Sequence, residues 1–317
     1  MSIACRSNSS NTHAVLQAQP FRSNGRASSG AAVFTAGAAS VAVLLLLCVQ
    51  LLLGDGASFR FPARVVKVAA YLSYDPSDAF REGRCYLATN RQHLDLDTCV
   101  SVDAARPNYL LLGDSHAAHL WLGLSTAMPE VNLMQASASA CRPVVVTASA
   151  FDTRGCRRLM HFIFDEFLAN RRLDGVLLAA SWKDEDLPAL SNTLEILKGR
   201  GINVTVLGPI VEYEKSLPRL IADEILRNDP KIASSMRTPG IVERDRVMAR
   251  IAAQSGARYV SVYDAICRLG RCDEIAAGDV PMQFDAGHLT VQGSIELGSR
   301  LRAAFGSTMA GIESVAD

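Results

Sequence analysis

Residues 108–120 read NYLLLGDSHAAHL, and this stretch indicates the fold class because it joins two kinds of secondary structure. Asn108–Gly113 is a short apolar run of the kind that forms a strand buried on both faces. Gly113 allows a tight turn without steric strain from a Cβ. Ala117–Met128 then predicts a helix, which Pro129 ends. A buried strand followed at once by a helix is the repeating unit of a parallel α/β fold.

Four later segments continue this alternation of strands and helices. The additional predicted strands cover residues 131–135, 174–181, 203–209 and 257–266. Helical patterns separate these strands and follow the last one, which is typical of a sheet covered on both faces. The sequence therefore predicts one α/β domain over residues 62–310 with a five-stranded parallel sheet. Ligands of such sheets bind in loops at the carboxyl ends of the strands.

The composition of the 317 residues is that of a globular protein. Hydrophobic residues make up 49% of the chain and charged residues 20%, which excludes intrinsic disorder over most of its length. Lys and Arg total 32 and Asp and Glu total 32, so the formal net charge is zero. A chain without excess positive charge lacks the basic surface of nucleic-acid-binding proteins, and we expect no nucleic-acid partner.

One segment near the N-terminus is apolar on all sides. Ala31–Leu53 contains no charged residue, and as a helix of about 23 residues it would cross a bilayer core of roughly 30 Å. We predict an uncleaved transmembrane helix over residues 31–53, preceded by a disordered cytoplasmic tail over residues 1–30. A cleaved signal peptide is the alternative, although its apolar region is usually shorter, about 7–15 residues. A buried core helix fits such a segment less well.

The cysteines indicate the compartment. Six of the eight cysteines lie in the soluble part and form three neighbouring pairs along the chain: Cys85 and Cys99, Cys141 and Cys156, and Cys267 and Cys272. Such pairs favour disulfides, which need an oxidising compartment. Free or zinc-bound thiols are the alternative, but these cysteines show no C-x-x-C motif and no histidine at zinc-finger spacing. We therefore expect the soluble domain to lie outside the cytoplasm.

Two loops at predicted strand ends carry reactive side chains. Ser115 stands where a helix begins, and the N–H groups there favour the negative charge that a serine nucleophile develops. His288 lies three residues after Asp285, so the carboxylate can orient the imidazole as a general base. The simpler interpretations are an N-capping serine and a solvent-facing histidine beside a turn aspartate. Because both loops lie at the same edge of one sheet, we expect Ser115, Asp285 and His288 to meet.

Two further histidines, His116 and His119, lie three residues apart on the predicted helix. That spacing occurs among metal ligands, but no neighbouring carboxylate or third histidine in the sequence completes a site. We expect these two side chains to pack in the domain, and we expect neither a metal nor a cofactor.

The motifs GDSHAAHL at 113–120 and DAGHLT at 285–290 resemble those of the SGNH, or GDSL-like, hydrolase superfamily. They are most similar to the extracytoplasmic SGNH domain of acyltransferase family 3 proteins, which O-acylate bacterial surface polysaccharides. The resemblance covers residues 62–310 and includes the cysteine pairs. It implies a flavodoxin-like, three-layer α/β/α fold. The transmembrane helix predicted at residues 31–53 precedes this domain. It also implies Ser115 as the nucleophile, with His288 and Asp285 as its base and orienting acid.

The sequence departs from the superfamily at its oxyanion donors. SGNH enzymes use a Gly in a second block and an Asn in a third, but residues 135–140 contain no Gly and residues 180–183 contain no Asn. Loss of one such donor can lower the rate by about 10²–10³-fold. Trp182 either stacks on a sugar or packs in the core. The remaining candidates for oxyanion or substrate contact are Gly113, Asp114, Ser137 and Ser139.

The resemblance implies a function in cell-surface chemistry. The protein would be anchored in the inner membrane by a single span, with its catalytic domain in the periplasm. It would transfer or remove acyl groups, most simply acetyl, on cell-surface polysaccharide. Because one span cannot carry an acyl donor across the bilayer, a membrane acyltransferase is an expected partner beside the bacterial membrane and the glycan. The alternative is a weak or inactive module that binds glycan or acts as a scaffold for that acyltransferase.

Overall fold

The computed structural model describes residues 30–53, 57–145 and 154–309. The chain divides into two compact units, Met1–Arg60 and Phe61–Asp317. The predicted disordered tail lies outside the described residues except for Gly30, where the first helix begins.

The first unit contains helix α1, Gly30–Leu53, of 24 residues. Its mean hydropathy is 2.5 and none of its side chains is buried in the protein. Length and composition therefore suffice for crossing a membrane, and they match the predicted span at 31–53. A signal sequence near the N-terminus meets the same two criteria.

The second unit alternates helices and strands. Its helices are α2 (Ala63–Ala69), α3 (Ser77–Phe80), α4 (Leu96–Cys99), α5 (Ser115–Ala127), α6 (Arg154–His161), α7 (Leu168–Asn170), α8 (Leu187–Gly199), α9 (Leu217–Arg227), α10 (Ile232–Ser235), α11 (Ile241–Ser255), α12 (Val262–Ile266) and α13 (Val291–Met309). A π-helical stretch, Phe162–Phe167, joins α6 to α7. The strands of the main sheet are β1 (Tyr86–Leu87), β2 (Asn108–Gly113), β3 (Asn132–Ala138), β4 (Gly175–Ala179), β5 (Val204–Leu207) and β6 (Arg258–Val260). Two small hairpins follow, β7 (Cys267–Arg268) with β8 (Arg271–Cys272), and β9 (Ile275–Ala276) with β10 (Val280–Pro281).

The main sheet is parallel, as predicted, but among the described residues it has six strands and not five. Its order is β1-β3-β2-β4-β5-β6, and all neighbouring strands are parallel. Without β1 this is the 2-1-3-4-5 order of flavodoxin-like folds. The missed strand β1 has two residues, too few to show a hydrophobic pattern. It exists through pairing with the end of β3, where Tyr86 lies beside Ser137.

Apolar side chains cover both faces of the sheet and produce the expected three layers. Successive residues of a strand point to opposite faces. Leu111 packs in a cluster with side chains of α5, α9, α12 and α13. Leu110 and Leu112 pack in a second cluster with side chains of α6, α8 and α11.

Two stretches differ from the sequence-based prediction. The strand predicted at 257–266 is limited to β6, because Ser261 caps α12 by accepting the N–H of Asp264. Residues 212–240 showed no periodicity but contain α9 and α10. Pro218 lies in the first turn of α9, where proline is compatible with a helix.

Helices α5 and α13 cross at very close range. The N–H of Gly123 donates to Ser294 Oγ at 3.0 Å, and a Cβ added at Gly298 would overlap the backbone of Gly123. Ser115 is the first residue of α5, and His288 lies just before α13. The crossing therefore brings together the two loops that carry these side chains.

The cysteine pairing predicted from the sequence is confirmed. The disulfides are Cys85–Cys99, Cys141–Cys156 and Cys267–Cys272. The first two close loops of 14 and 15 residues, for which loop entropy contributes about 3 kcal/mol each. These two disulfides fix the segments beside β1 and after β3, which lie at the end of the sheet that carries the candidate site.

Candidate active site

The end of β2 presents Ser115 at the start of α5. Asp114, and not Ser115, caps the helix: its Oδ1 accepts the N–H of His116 at 2.8 Å. The Ser115 hydroxyl is thus not used as the helix cap. Gly113 has a φ of 158°, and a Cβ added there would overlap the carbonyl oxygen of Ala179. Only glycine lets the ends of β2 and β4 approach this closely, which explains the glycine before the serine.

The three residues expected to meet are in contact. Ser115 Oγ lies 2.8 Å from His288 Nε2, and His288 Nδ1 lies 2.7 Å from Asp285 Oδ2. The other oxygen of Asp285 accepts the N–H groups of Gly287 and His288 at 2.9 and 2.7 Å. An ionised Asp285 holds the proton on Nδ1 and leaves the Nε2 lone pair directed at the serine, as a general base requires.

The pKa of Asp285 favours this arrangement. Burial acts to raise the pKa of this carboxyl, but the hydrogen bond and charge of His288 and the two backbone N–H groups outweigh it. The pKa of Asp285 therefore lies below its usual value, and the group is ionised at neutral pH.

The loop that carries His288 is held by the segment after β5. The N–H of Tyr213 donates to the carbonyl of Ala286 at 2.8 Å, and the N–H of Leu217 donates to the carbonyl of Asp285 at 3.0 Å. This segment belongs to the stretch that seemed irregular from the sequence, so its part in positioning the loop was not predicted.

A buried ion network lies beneath Ser115. Asp114 is 1% exposed; one carboxylate oxygen lies 2.7 Å from an Arg142 guanidinium nitrogen, and Arg142 Nε lies 2.9 Å from Asp186 Oδ2. Asp114 also accepts the N–H of Ser181 at 3.0 Å. Asp114 was a candidate for substrate contact, and the structure corrects this assignment. Its oxygens are occupied within the protein, where they connect the ends of β2, β3 and β4.

Of the two serines proposed as oxyanion donors, Ser137 is in the wrong place. It is fully buried, and its Oγ and its N–H both donate to the carbonyl of Cys85, at 3.2 and 3.0 Å. The N–H of Ser139 donates to the carbonyl of Leu87 at 2.9 Å, which leaves only its exposed side chain for the site. Ala140 follows with a φ of 54°, a left-handed conformation that glycine adopts most readily.

Tyr86 on β1 is a site residue that the sequence analysis missed. Its buried phenol interacts with the side chains of Ser139 and Ser115. Burial raises the pKa of Tyr86, so the hydroxyl keeps its proton and can donate a hydrogen bond beside the serine. Because β1 is too short to be recognised in the sequence, no pattern marked this tyrosine.

Trp182 packs in the core and does not form a wall for a sugar. It is 1% exposed, and its Nε1 donates to the carbonyl of Leu207 at 2.9 Å. Of the two interpretations offered above, the stacking one is wrong, because no face of the indole ring reaches the surface.

Three imidazoles form a cluster next to Ser115. The rings of His116 and His119 lie 4.9 and 5.9 Å from the ring of His288. Burial, and then the nearby histidines, lower the pKa values of His116 and His119 well below the usual value. Among the described residues, no group of three or more His, Cys, Asp or Glu could hold a metal ion. Both ring nitrogens of His288 already face Ser115 and Asp285. Because their pKa values are lowered, His116 and His119 pack beside it as neutral rings.

Comparison with protein families identifies the fold. A family model described as "SGNH domain (fused to AT3 domains)" matches residues 84–303. The chain belongs to this SGNH family. The matched SGNH domain includes all three candidate triad residues and begins just before β1. A search of curated proteins gave no match.

Some solved structures are similar to a large part of this chain. The periplasmic domain of a lipopolysaccharide acetyltransferase from Salmonella ser. Paratyphi A is 22% identical, with a TM-score of 0.62 over 75% of this chain and 96% of that chain. A carbohydrate acetylesterase from Sinorhizobium meliloti is 13% identical, with a TM-score of 0.38 over 64% of this chain and 99% of that one. A mutant acetylxylan esterase from Geobacillus stearothermophilus is 14% identical, with a TM-score of 0.38 over 63% and 94%. The first of these shows that the fold is shared.

Proposed function

We propose that this SGNH domain transfers or hydrolyses acyl esters through a Ser115–His288–Asp285 triad. The observation that carries the proposal is the chain of contacts from Ser115 Oγ to His288 Nε2 at 2.8 Å and from His288 Nδ1 to Asp285 Oδ2 at 2.7 Å. A serine within proton-transfer reach of an oriented imidazole is the arrangement of an activated nucleophile.

The reaction proceeds in two steps. Ser115 Oγ attacks the acyl carbonyl while His288 takes its proton, and His288 then donates that proton to the leaving alcohol. In the second step His288 deprotonates an incoming hydroxyl, which attacks the acyl carbon. The bond between that carbon and Ser115 Oγ then breaks, and His288 returns the proton to Oγ. A sugar hydroxyl gives acyl transfer, whereas water gives hydrolysis. The N–H of Ser115 at the start of α5 and the protonated Tyr86 hydroxyl are the proposed donors to the oxyanion, in place of the absent Gly and Asn.

The proposed substrates are acyl esters, most simply acetyl esters, of cell-surface polysaccharide. Two findings support this class. The family is described by its fusion to AT3 domains, and a structure of the same fold is the periplasmic domain of a lipopolysaccharide acetyltransferase. We accordingly propose a membrane acyltransferase as the partner that supplies the acyl donor.

The proposed location is the periplasmic side of the inner membrane. The span predicted at residues 31–53, which lies within helix α1, would serve as the single-pass anchor. Residues 1–30 would form a cytoplasmic tail and residues 62–310 the SGNH domain. The three disulfides support an oxidising compartment for this domain.

A second candidate function is glycan binding without catalysis. The observation in its favour is that Ser137, in the block that normally supplies an oxyanion donor, directs both its N–H and its hydroxyl into the fold. A module of this kind would bind glycan equally well without the Ser115 hydroxyl.

Assays of the purified full-length protein in detergent test both functions. The substrate is 4-nitrophenyl acetate, with and without methyl glycosides as acceptors, and the variants are wild type and Ser115→Ala. Release of 4-nitrophenol that requires Ser115 supports the triad. Acetylated glycoside as the product identifies a transferase, and acetate identifies an esterase. If wild type and Ser115→Ala release 4-nitrophenol at the same rate, catalysis by Ser115 is rejected. Glycan binding then becomes the favoured function.

A further inference from the structure

A second polar cluster lies at the ends of β4 and β5, outside the triad. Glu212 Oε1 accepts a hydrogen bond from Ser181 Oγ at 3.1 Å, and Glu212 Oε2 lies 3.3 Å from Lys183 Nζ. The exposed fractions of the Lys183 and Glu212 side chains are 37% and 15%. The ion pair is thus partly enclosed but still reaches the surface. The proposed reaction uses none of these three side chains.

This cluster borders the catalytic histidine. A Cβ built on Gly287, the residue before His288, would lie 3.4 Å from Glu212 Cγ and 3.6 Å from His116 Cε1. The ring of His116 in turn lies 4.9 Å from the ring of His288. Glu212 therefore packs directly against the loop that presents the base.

The order of the strands places the cluster and Tyr86 on different sides of Ser115. Ser115 follows β2, Tyr86 lies on β1, and Glu212 follows β5 in the order β1-β3-β2-β4-β5-β6. When the ester of a substrate lies at Ser115, Tyr86 is therefore on the side of the substrate toward β1. Glu212 and Lys183 are on its opposite side, toward β6.

We propose that Glu212 and Lys183 bind the sugar ring that carries or receives the acyl group. A carboxylate accepts hydrogen bonds from sugar hydroxyls, and an ammonium group donates to them, so a neighbouring pair suits adjacent hydroxyls of one ring. Ser181 holds the carboxylate in place. Ion pairs that reach solvent contribute little to stability, so stability alone does not account for this pair. The proposal rests on the proposed function and specifies its alcohol subsite.

The same subsite serves both directions of the reaction. The attack of an alcohol on the acyl-serine is the reverse of the departure of that alcohol from its ester. Both steps therefore share one transition state, and the alcohol occupies the same subsite in each. An acetylated sugar therefore reports on the subsite in an esterase and in a transferase alike. An aryl acetate reaches the same acyl-serine with a leaving group that has no sugar hydroxyls.

The experiment compares these two kinds of ester in the full-length protein. The substrates are 4-nitrophenyl acetate and mono-O-acetylated methyl glycosides of glucose, galactose, mannose and rhamnose. Glu212→Gln keeps the size of the side chain and removes its charge. We expect it to lower kcat/KM for the best acetylated glycoside at least tenfold, mainly through KM, and to leave kcat/KM for 4-nitrophenyl acetate within twofold of wild type. Glu214→Gln, an exposed neighbour, is the matched control and should change neither.

Other outcomes overturn the subsite and remain distinguishable from failure of the triad. An equal loss for both esters means that Glu212 only supports the loop of His288. No loss for either ester means that the sugar does not contact Glu212, and a wild type that cleaves only the aryl ester has no such subsite. In all three cases the Ser115-dependent activity stands. A wild type that cleaves neither ester overturns both proposals.

Discussion

Ser115 Oγ lies 2.8 Å from His288 Nε2 although 173 residues separate the two in the chain. The contact follows from the packing of the helices that adjoin the two loops. Glycines at the crossing of α5 and α13 allow their backbones to touch, and each candidate catalytic residue lies at or near the N-terminus of one of these helices. The reactivity of the serine then depends on how firmly Asp285 holds the imidazole.

Replacement of Asp285 by Asn tests that dependence. The amide keeps the size of the side chain, and its oxygen can still accept the N–H groups of Gly287 and His288. It cannot stabilise the imidazolium that forms when His288 takes the serine proton. We expect Asp285→Asn to lower kcat for 4-nitrophenyl acetate by about 10²–10⁴-fold with little change in melting temperature.

The control for this variant is Asp279→Asn, at an exposed aspartate in the β9–β10 hairpin. It should retain full activity. If Asp285→Asn also remained within a factor of three of wild type, the carboxylate would not be orienting the base.

Gly113→Ala tests the close approach of β2 and β4. The added Cβ would overlap the carbonyl oxygen of Ala179, so the strand end must move away. We expect loss of folded protein or destabilisation by about 3 kcal/mol or more, measured as urea-induced unfolding. Gly199→Ala at the end of α8 is the control, because a Cβ there meets no atom within 4 Å. A Gly113→Ala protein of normal stability would contradict the packing described here.

Arg142→Met tests the buried ion network. The change leaves the carboxylates of Asp114 and Asp186 without their shared cation, and both are almost fully buried. Removing one partner of a buried pair costs about 3–5 kcal/mol, and we expect a loss of this size in the free energy of unfolding. Arg171→Met, at an exposed arginine, is the control. A loss below about 1 kcal/mol, the size typical of a surface ion pair, would show that Arg142 is not needed there.

Burial of His119 makes stability depend on pH. Its folded-state pKa lies well below the usual value, so below about pH 6.5 the unfolded chain takes up a proton that the folded protein excludes. Stability is therefore fully present above that pH and falls as the pH drops, by about 1.4 kcal/mol per pH unit for each such histidine. Both ring nitrogens of His119 lack hydrogen-bond partners among the described residues, so His119→Leu removes the titration without breaking a hydrogen bond.

Urea unfolding between pH 5 and pH 7.5 measures this slope. Below about pH 6.5 we expect His119→Leu to reduce it by about 1.4 kcal/mol per pH unit. An unaltered slope in His119→Leu would mean that His119 titrates normally in the folded protein.

The sequence was sufficient for the parts of the fold that depend on buried apolar runs. Strands β2 to β5 are short, mostly apolar segments that are buried on both faces, and such segments leave a clear pattern. The disulfides were predictable because each pair lies close together along the chain. The meeting of Ser115 and His288 followed from placing two loops at the carboxyl edge of one parallel sheet.

The remaining features depend on contacts between distant residues, and no local pattern records those. Tyr86 reaches the site through a two-residue strand that forms only by pairing with β3. Asp114, Arg142 and Asp186 form one network, yet each is an ordinary polar residue in its own segment. Trp182 was ambiguous because the end of a strand can face either the core or the surface.

Covalent labelling of Ser115 shows whether this serine is an activated nucleophile. A fluorophosphonate probe reacts with a serine only when a neighbouring base activates it, and peptide mass spectrometry locates the adduct. We predict one adduct, on Ser115, in wild-type protein and none in Ser115→Ala, with slower labelling in Asp285→Asn. Absence of label on Ser115 in folded wild-type protein, or equal labelling of another serine in Ser115→Ala, would mean that Ser115 is not the activated nucleophile.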